Sequence, residues 1–169
     1  KVALYTIKNV TNKDLKLDIN YWINPVMGVN EEKTVRHLVC NYYELNNFLT
    51  IQNKYAMNFK DKIAYLTSTE EIESAITDKV ITKSITITKE IKKKDTITLA
   101  FVLGCQSNLS DINKMCKKYN DIEYIENKFK ETVSYWKNKL GTIQVKTDDK
   151  SFDILMNNWL LYQSYASRI

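Results

Sequence analysis

The chain has 169 residues, 44% of them hydrophobic, and a formal net charge of +5 from 25 basic and 20 acidic side chains. This length and hydrophobic content suit one globular domain, or one and a part, with a real core. The basic residues are mostly dispersed lysines, with Arg36 and Arg168 as the two arginines, which argues against a nucleic-acid partner. No long uninterrupted apolar run is present, so we expect no membrane-spanning helix and no membrane contact.

Up to residue 103 the hydrophobic residues recur with the two-residue period of strands. The segments 9–13 and 44–47 are rich in turn-forming residues and predict hairpin connections. Because Ile81, Ile85 and Ile87 alternate with polar residues, we expect antiparallel sheets with one inward face, stacked as a sandwich. Seven strands are predicted, over residues 2–8, 15–23, 34–43, 48–52, 63–66, 80–88 and 96–103.

After Gly104 the hydrophobic period lengthens to about 3.6 residues, which predicts helices. A first amphipathic helix is predicted from residue 109, with Ser107 or Asn108 as its N-terminal cap. A second helix is predicted to start at a cap formed by Asn120 or Asp121 and to end at Gly141. Its apolar stripe comprises Ile122, Ile125, Phe129, Val133, Trp136 and Leu140.

The chain closes with a brief extended crossing at residues 142–147 and a third helix that begins near Ser151. Asp148 and Asp149 suit the positive end of that helix. A helix that is apolar on two sides is expected to be buried among other helices, and too few precede it here. Since no capping residue follows its last turn, we expect the chain to be a fragment of a longer protein. The two sides are formed by Phe152, Leu155, Met156, Trp159, Leu160 and Gln163, and by Leu161, Tyr162 and Tyr165.

Three cysteines and a single histidine limit the possible metal and redox chemistry. The cysteines Cys40, Cys105 and Cys116 are odd in number and have no C-x-x-C spacing, so neither a disulfide framework nor a zinc site is expected. All three are predicted to be small buried side chains in a reducing, cytoplasmic protein. His37 falls in a strand-like run, and we expect neither a metal site nor a Cys-His catalytic pair around it.

The end of the chain carries a family resemblance. The stretches L-G-T-I-Q-V-K-T at residues 140–147 and D-K-S-F-D-I-L-M-N-N-W-L-L-Y-Q-S-Y-A-S-R at residues 149–168 follow a β-sandwich and two helices. This order resembles the family 94 glycoside phosphorylases, most closely the members that act on β-1,2-glucans and more distantly those that act on cellobiose and cellodextrins. The most specific part is N-x-W-x-x-Y-Q, formed by Asn157, Trp159, Tyr162 and Gln163. The stretch N-P-V-M-G-V at residues 24–29 supports it.

The resemblance implies a larger enzyme, with an N-terminal sandwich of the galactose-mutarotase-like type, a helical linker and an (α/α)₆ barrel that holds the active site. Residues 1–104 would form the latter part of the sandwich, 105–141 a two-helix linker, and 142–169 the crossing and the first barrel helix. The implied reaction is reversible phosphorolysis of a β-glucoside to α-glucose 1-phosphate, with inversion, inorganic phosphate as co-substrate and no cofactor. One carboxylic acid suffices, because phosphate is already an anionic nucleophile.

The resemblance places no catalytic residue in this chain, because the family's G-F-R-D motif and catalytic aspartic acid would fall beyond Ile169. Trp159, Tyr162 and Gln163 are the side chains predicted to lie near the glucan path. The implied partners are a β-glucan oligosaccharide, phosphate and a second subunit in a homodimer. Helix capping and solvation explain the available carboxylates, Asp149, Asp153 and Glu131.

Two alternative functions stay open. A stand-alone carbohydrate-binding sandwich is favoured by aromatic side chains that can stack on pyranose rings. Adjacent Tyr42 and Tyr43 weaken a shared platform, since neighbouring residues of a strand face opposite sides. A packing and dimerisation module is the other alternative. The aromatic side chains in question are Tyr21, Trp22, Tyr42 and Tyr43.

Overall fold

The computed structural model describes residues 1–28, 34, 36–55, 61–77 and 82–167. The chain divides into two compact units, Lys1–Ile125 and Glu126–Ile169. In the described ranges the first unit contains the β-strands, and helices follow them, so the prediction of a mainly β chain that ends in α-helices is confirmed. The strands are β1 (Val2–Lys8), β2 (Leu15–Ile23), β3 (Leu38–Tyr43), β4 (Phe48–Asn53), β5 (Ile63–Ser68), β6 (Ser74–Ile76), β7 (Lys83–Ile91) and β8 (Thr96–Gln106).

The strands form two antiparallel sheets that contribute to one hydrophobic core. The first sheet has the strand order β1-β8-β5-β4-β3 and the second has the order β2-β7-β6. Alternation along each strand directs every second side chain to the core, and burial removes those apolar side chains from water. The buried members of this core are Met27, Leu49, Ile51, Leu66, Ile72, Ile85, Ile87, Leu99 and Phe101.

A second, smaller core lies on the opposite face of the five-stranded sheet. Helix α1 (Leu109–Lys118) buries Ile112 and Cys116 there, against side chains one position out of phase with those of the first core. Asn108 caps the helix, since its Oδ1 accepts a hydrogen bond from the amide of Asp111 at 2.9 Å. The sheet residues of this core are Phe48, Tyr65 and Val102.

One of the two predicted hairpins is wrong. Segment 9–13 joins β1 to β2, but β1 pairs with β8 and β2 pairs with β7, so the segment passes from one sheet to the other. The buried Asn9 side chain explains this path, because its Nδ2 donates to the carbonyls of Lys13, Ile91 and Lys92 at 2.8–3.1 Å. The predicted connection at 44–47 is confirmed, as a 3₁₀ turn (Glu44–Asn46) between the antiparallel strands β3 and β4.

Several strand boundaries differ from the prediction. Strand β3 starts at Leu38 instead of residue 34, because the amide of His37 bonds to the carbonyl of Thr34 at 3.0 Å and forms a turn. His37 therefore precedes the strand. Strand β7 covers Lys83–Ile91, and residues 80–81 of the predicted strand lie outside the described ranges. The three-residue strand β6 was not predicted, since it is too short to show a hydrophobic period.

The cysteines do not share one environment. Cys116 is buried as predicted, while Cys40 is half-buried. The prediction is wrong for Cys105, which is exposed. It lies one residue before the end of β8, on the same face as Phe101 and Leu103 but past the last residue of that strand that packs against the first core.

The helices are α1, α2 (Ile122–Leu140), α3 (Lys150–Ile154), a π-helical turn (Leu155–Trp159) and α4 (Leu160–Ala166). Asp121 is the predicted cap of α2 that the structure uses, since its Oδ1 accepts from the amide of Glu123 at 2.9 Å. Gly141 ends α2, with its amide bonded to the carbonyl of Lys137 at 2.8 Å. Within the described residues, no helix is long and apolar enough to cross a membrane.

Candidate functional site

Residues 142–147, which precede the last helical segment, are hydrogen-bonded to side chains of that segment. The amide of Val145 donates to Oδ1 of Asn157 at 2.6 Å, and Nδ2 of Asn157 donates back to the carbonyl of Val145 at 2.7 Å. One turn earlier, Oδ1 of Asp153 accepts from both the amide and the hydroxyl of Thr147, at 2.8 and 2.9 Å. Residues 142–147 form no strand, so these two side chains supply backbone partners that a sheet would otherwise provide.

The start of this helical segment is capped by a carboxylate. Oδ1 of Asp149 accepts from the amides of Ser151 and Phe152, at 2.8 and 3.2 Å. A carboxylate at this end also interacts favourably with the helix dipole. Asp149 thus has the capping role predicted from the sequence. Asp153 is not simply solvated, because its carboxylate accepts a hydrogen bond from the amide of Thr147. Glu131, the third available carboxylate, pairs with Lys128 at 2.6 Å.

The three residues predicted to lie near the glucan path follow one another along the helix surface. Trp159 ends the π-helical turn, and Tyr162 and Gln163 lie in α4. The side chains of Trp159 and Tyr162 are 57% and 41% exposed, and their ring centroids are 6.4 Å apart with a tilt of 36°. Gln163 is also exposed. Their exposure leaves them available for a ligand, and their proximity to a glucan stays a prediction.

The structure joins Tyr162 to a residue that the sequence assigned only to an apolar stripe. Trp136 of α2 packs edge-on against Tyr162 at 5.2 Å and against Tyr165 at 5.6 Å. Tyr135 lies beside the same cluster, and its hydroxyl is 3.0 Å from that of Tyr165. This hydrogen bond raises the pKa of Tyr135. Helical spacing alone could place Trp136 on an inner face, but could not show which aromatic rings it meets.

Two clefts have Trp136 and Leu140 in their walls. The larger, of about 550 Å³, also contacts the amide side chains of Gln144 and Asn158. The smaller, of about 280 Å³, is bounded by Lys139, whose Nζ lies 5.7 Å from the ring centre of Tyr165. The described residues that line the clefts do not include Trp159, Tyr162 or Gln163. The larger cleft is lined by Phe129, Thr132, Val133, Trp136, Lys137, Leu140, Gly141, Gln144 and Asn158.

The aromatic side chains proposed as a sugar platform on the sheets are not brought together. Tyr21 stacks on Phe101 at 4.6 Å inside the first core. Tyr42 packs against the same core, with its hydroxyl bonded to the carbonyl of Ile72 at 2.7 Å. Tyr43 packs against the second core, with its ring centre 5.0 Å from that of Phe48. Trp22 differs from the three tyrosines, because its side chain is 63% exposed. The four rings therefore form no shared platform, and Tyr42 and Tyr43 face opposite sides of the sheet, as their adjacent positions predicted.

The described residues contain no group of three or more His, Cys, Asp or Glu side chains placed to hold a metal ion. His37 instead lies beside the ring of Tyr55, with 4.6 Å between the ring centres.

No family model matches the chain. Cyclic β-(1,2)-glucan synthase NdvB of Rhizobium meliloti (strain 1021) is 20% identical to it over 203 aligned positions, which cover 100% of this chain and 7% of that protein. The chain thus spans a small part of the length of this curated relative. The similarity is distant and extends along both compact units.

Proposed function

We propose that this chain is a non-catalytic part of a larger enzyme that acts on β-glucans, most closely β-1,2-linked glucans. The observation that carries the proposal is the similarity over the whole chain to a short stretch of a cyclic β-(1,2)-glucan synthase. The order of elements supports it, since two antiparallel sheets precede helices as the family resemblance implies.

In this proposal each part of the chain has a structural task. The two sheets are the latter part of an N-terminal sandwich, α1 and α2 are the linker, and the segment 150–166 is the first helix of an (α/α)₆ barrel. The hydrogen bonds from the amides of Val145 and Thr147 to side chains of the last segment support this, because they fix the path by which the chain enters that helix.

The exposed apolar surface of the unit Glu126–Ile169 further supports a barrel. Neighbouring helices of a barrel would cover such a surface, and the gain from removing it from water is large. The aromatic edge of Trp159 and Tyr162 would then lie close to the glucan path. The exposed large apolar side chains are Phe129, Tyr135, Ile143, Phe152, Ile154, Leu155, Trp159, Leu160, Tyr162 and Tyr165.

The proposed reaction of the larger enzyme is inverting phosphorolysis. A phosphate oxygen bonds to the anomeric carbon as the glycosidic C–O bond breaks, and a carboxylic acid protonates the departing glucan oxygen. In this chain, Asp149 caps a helix, Asp153 holds Thr147 and Glu131 pairs with Lys128. Because the family resemblance also places the catalytic aspartic acid beyond Ile169, we assign the acid to a part of the larger enzyme outside this chain.

The test is to read the source gene across the codon for Ile169 and to express the complete protein that it encodes. We expect the reading frame to continue into a G-F-R-D motif, and the complete protein to release α-glucose 1-phosphate from β-1,2-linked oligosaccharides when phosphate is present, as ³¹P NMR would show. The matched control is the 169-residue chain, which should release none. Turnover by the 169-residue chain, or an inactive complete protein, would overturn the proposal.

A further inference from the structure

The outer face of the three-stranded sheet carries an exposed indole among polar side chains. Trp22 of β2 lies across from Ser84 of β7, which in turn lies across from Ile76 of β6. The next row on the same face consists of Asn20, Thr86 and Ser74. Partners in an antiparallel ladder share a face, so these two rows are neighbours on one surface.

Trp22 is the dominant apolar group of this surface. Its side chain is 63% exposed, while Tyr21 beside it points the other way and stacks on Phe101 in the core. The apolar area near Trp22 is small, since Ile76 is the other apolar member of the two rows. A protein interface requires a larger apolar centre, whereas one aromatic ring suffices to stack on the face of a sugar.

Hydrogen-bonding groups lie close to the indole. Asn20 lies on the same face of β2 as Trp22, about 7 Å from it along the strand. Its Nδ2 donates to Oγ1 of Thr86 at 2.8 Å, which leaves the amide oxygen of Asn20 on an exposed surface. Amide and hydroxyl groups beside an aromatic ring are the combination that recognises the hydroxyls and the apolar face of a pyranose.

The partner of Trp22 in the ladder has an unused hydroxyl. Ser84 is 2% exposed, and its Oγ has no hydrogen-bond partner among the described residues. Buried polar atoms in folded proteins are nearly always hydrogen-bonded, so an unpaired one next to an exposed indole indicates a missing partner. A sugar hydroxyl can both donate to and accept from this atom, provided that a covering side chain moves aside, because the Oγ has less than 1 Å² of accessible surface.

We infer that this surface, centred on Trp22 with Asn20, Ser84 and Thr86, binds a neutral glucan chain at a site separate from the helices. The two rows are uncharged, and Thr88 in the next row donates to the carboxylates of Asp18 and Glu73. A neutral oligosaccharide is therefore favoured over an anionic one. The choice of a β-1,2-linked glucan as the probe rests on the proposed function, while the sugar-binding surface itself rests on the contacts above.

The test is a titration of the full 169-residue chain with β-1,2-linked gluco-oligosaccharides, followed by ¹H–¹⁵N NMR of its three tryptophan indoles. We expect the indole signal of Trp22 to shift at millimolar sugar while those of Trp136 and Trp159 stay in place. Trp22→Ala should weaken binding by about tenfold or more, and Trp22→Phe should weaken it less because an aromatic face is kept. Leu45→Ala is the matched control, since it removes a fully exposed apolar side chain outside this surface, and it should bind like the unaltered chain.

The unaltered chain tests the inference even if Trp22→Ala fails to fold. A Trp22 indole signal that does not shift when sugar is added would overturn the inference. A signal that shifts with protein concentration in the absence of sugar would also overturn it, because such a shift would show contact between protein molecules. Neither result affects the proposed function, which depends on phosphorolysis by the complete protein. An inactive complete protein would in turn leave sugar binding at Trp22 unchanged.

Discussion

Asn157 and Val145 pair through both of their hydrogen-bonding groups, as two residues of a β-ladder would. The amide of Val145 reaches Oδ1 of Asn157 at 2.6 Å and Nδ2 of Asn157 reaches the carbonyl of Val145 at 2.7 Å. Asn157 is thus the residue of the N-x-W-x-x-Y-Q motif whose role is structural, because both polar atoms of its amide bond to the backbone of residues 142–147. This role requires a side chain with one donor and one acceptor at a fixed spacing.

Replacing Asn157 should weaken the attachment of residues 142–147 to the last helical segment. Asn157→Ala removes two partly buried hydrogen bonds, and we expect a loss of about 1–3 kcal/mol in the free energy of unfolding of the helical unit. Asn157→Asp keeps the acceptor but places a carboxylate oxygen next to the carbonyl oxygen of Val145. These two oxygens repel each other, so this variant should also be destabilising. Hydrogen exchange at the amide of Val145 checks this directly. Asn158→Ala, at the exposed next position, is the control. Unchanged exchange at Val145 in Asn157→Ala would contradict the assignment.

Trp136 should hold the aromatic cluster of the helical unit together. Its ring contacts those of Tyr135, Tyr162 and Tyr165 at 5.2–5.6 Å, so Trp136→Ala removes three aromatic contacts at once. We expect a loss of roughly 1–3 kcal/mol, below the range for a fully buried tryptophan because Trp136 is half-buried. Near-ultraviolet circular dichroism and hydrogen exchange in α4 measure it. Trp159→Ala should cost less, and equal losses for the two variants would refute the central position of Trp136.

Asn47 combines a left-handed backbone with a side chain that joins two loops. Its φ of 57° is in the region that favours glycine, while Nδ2 donates to the carbonyls of Ser68 and Glu70 and Oδ1 accepts from the amide of Ile72 at 2.7 Å. Asn47→Ala should therefore destabilise the chain by about 3 kcal/mol.

A glycine at the same position separates the two contributions. Asn47→Gly loses the same hydrogen bonds without the backbone strain, so it should be about 1 kcal/mol less destabilising than Asn47→Ala. Urea denaturation gives both values. Asn46→Ala is the neighbouring control, since Asn46 makes an exposed contact with Asn113 at 3.3 Å. If alanine were tolerated better than glycine, the strain argument would fail.

The buried thiol of Cys116 should make the fold sensitive to alkali. Burial raises the pKa of Cys116 from 9.0 to about 11, which disfavours the thiolate in the folded state. Above pH 9 the unfolded chain therefore loses a proton that the folded chain keeps, and stability falls as the pH rises to about 11. We expect this loss to be roughly 1–3 kcal/mol. Burial likewise raises the pKa of Tyr65 to about 12, so the decline continues beyond that range.

Cysteine variants measure the contribution of Cys116 to this pH dependence. Cys116→Ala should reduce the fall in the free energy of unfolding between pH 9 and 11, as denaturation at a series of pH values would show. Cys105→Ala, which alters an exposed thiol, should leave the fall unchanged. The same contrast should appear in thiol labelling at neutral pH, where Cys105 reacts readily and Cys116 reacts slowly. Equal labelling rates would contradict the burial of Cys116.

The candidate site shows why sequence reasoning succeeded in part. Trp159, Tyr162 and Gln163 were selected by a motif, and the helix they occupy follows from local periodicity. Trp136 was placed on a stripe but not joined to Tyr162, because that contact links helices α2 and α4 across 26 positions of sequence. The π-helical turn also escaped prediction, since its hydrophobic pattern resembles that of an α-helix.

The sequence by itself determined the local elements of this protein. The two-residue period set strands β1 and β2 at the predicted bounds, and the caps Asn108, Asp121 and Asp149 set the starts of three helices. These features depend on residues only a few positions apart, so local propensity and hydrogen bonding are sufficient to fix them.

The tertiary structure alone decided which strands pair and which polar side chains are enclosed. β1 pairs with β8 instead of β2, Asn9 bonds to carbonyls 82 and 83 positions away, and Lys83 is 1% exposed at the start of β7. It also separated Trp22 from the three tyrosines grouped with it. Such outcomes depend on contacts between segments distant in sequence, where the burial of the whole core outweighs the preference of any one residue.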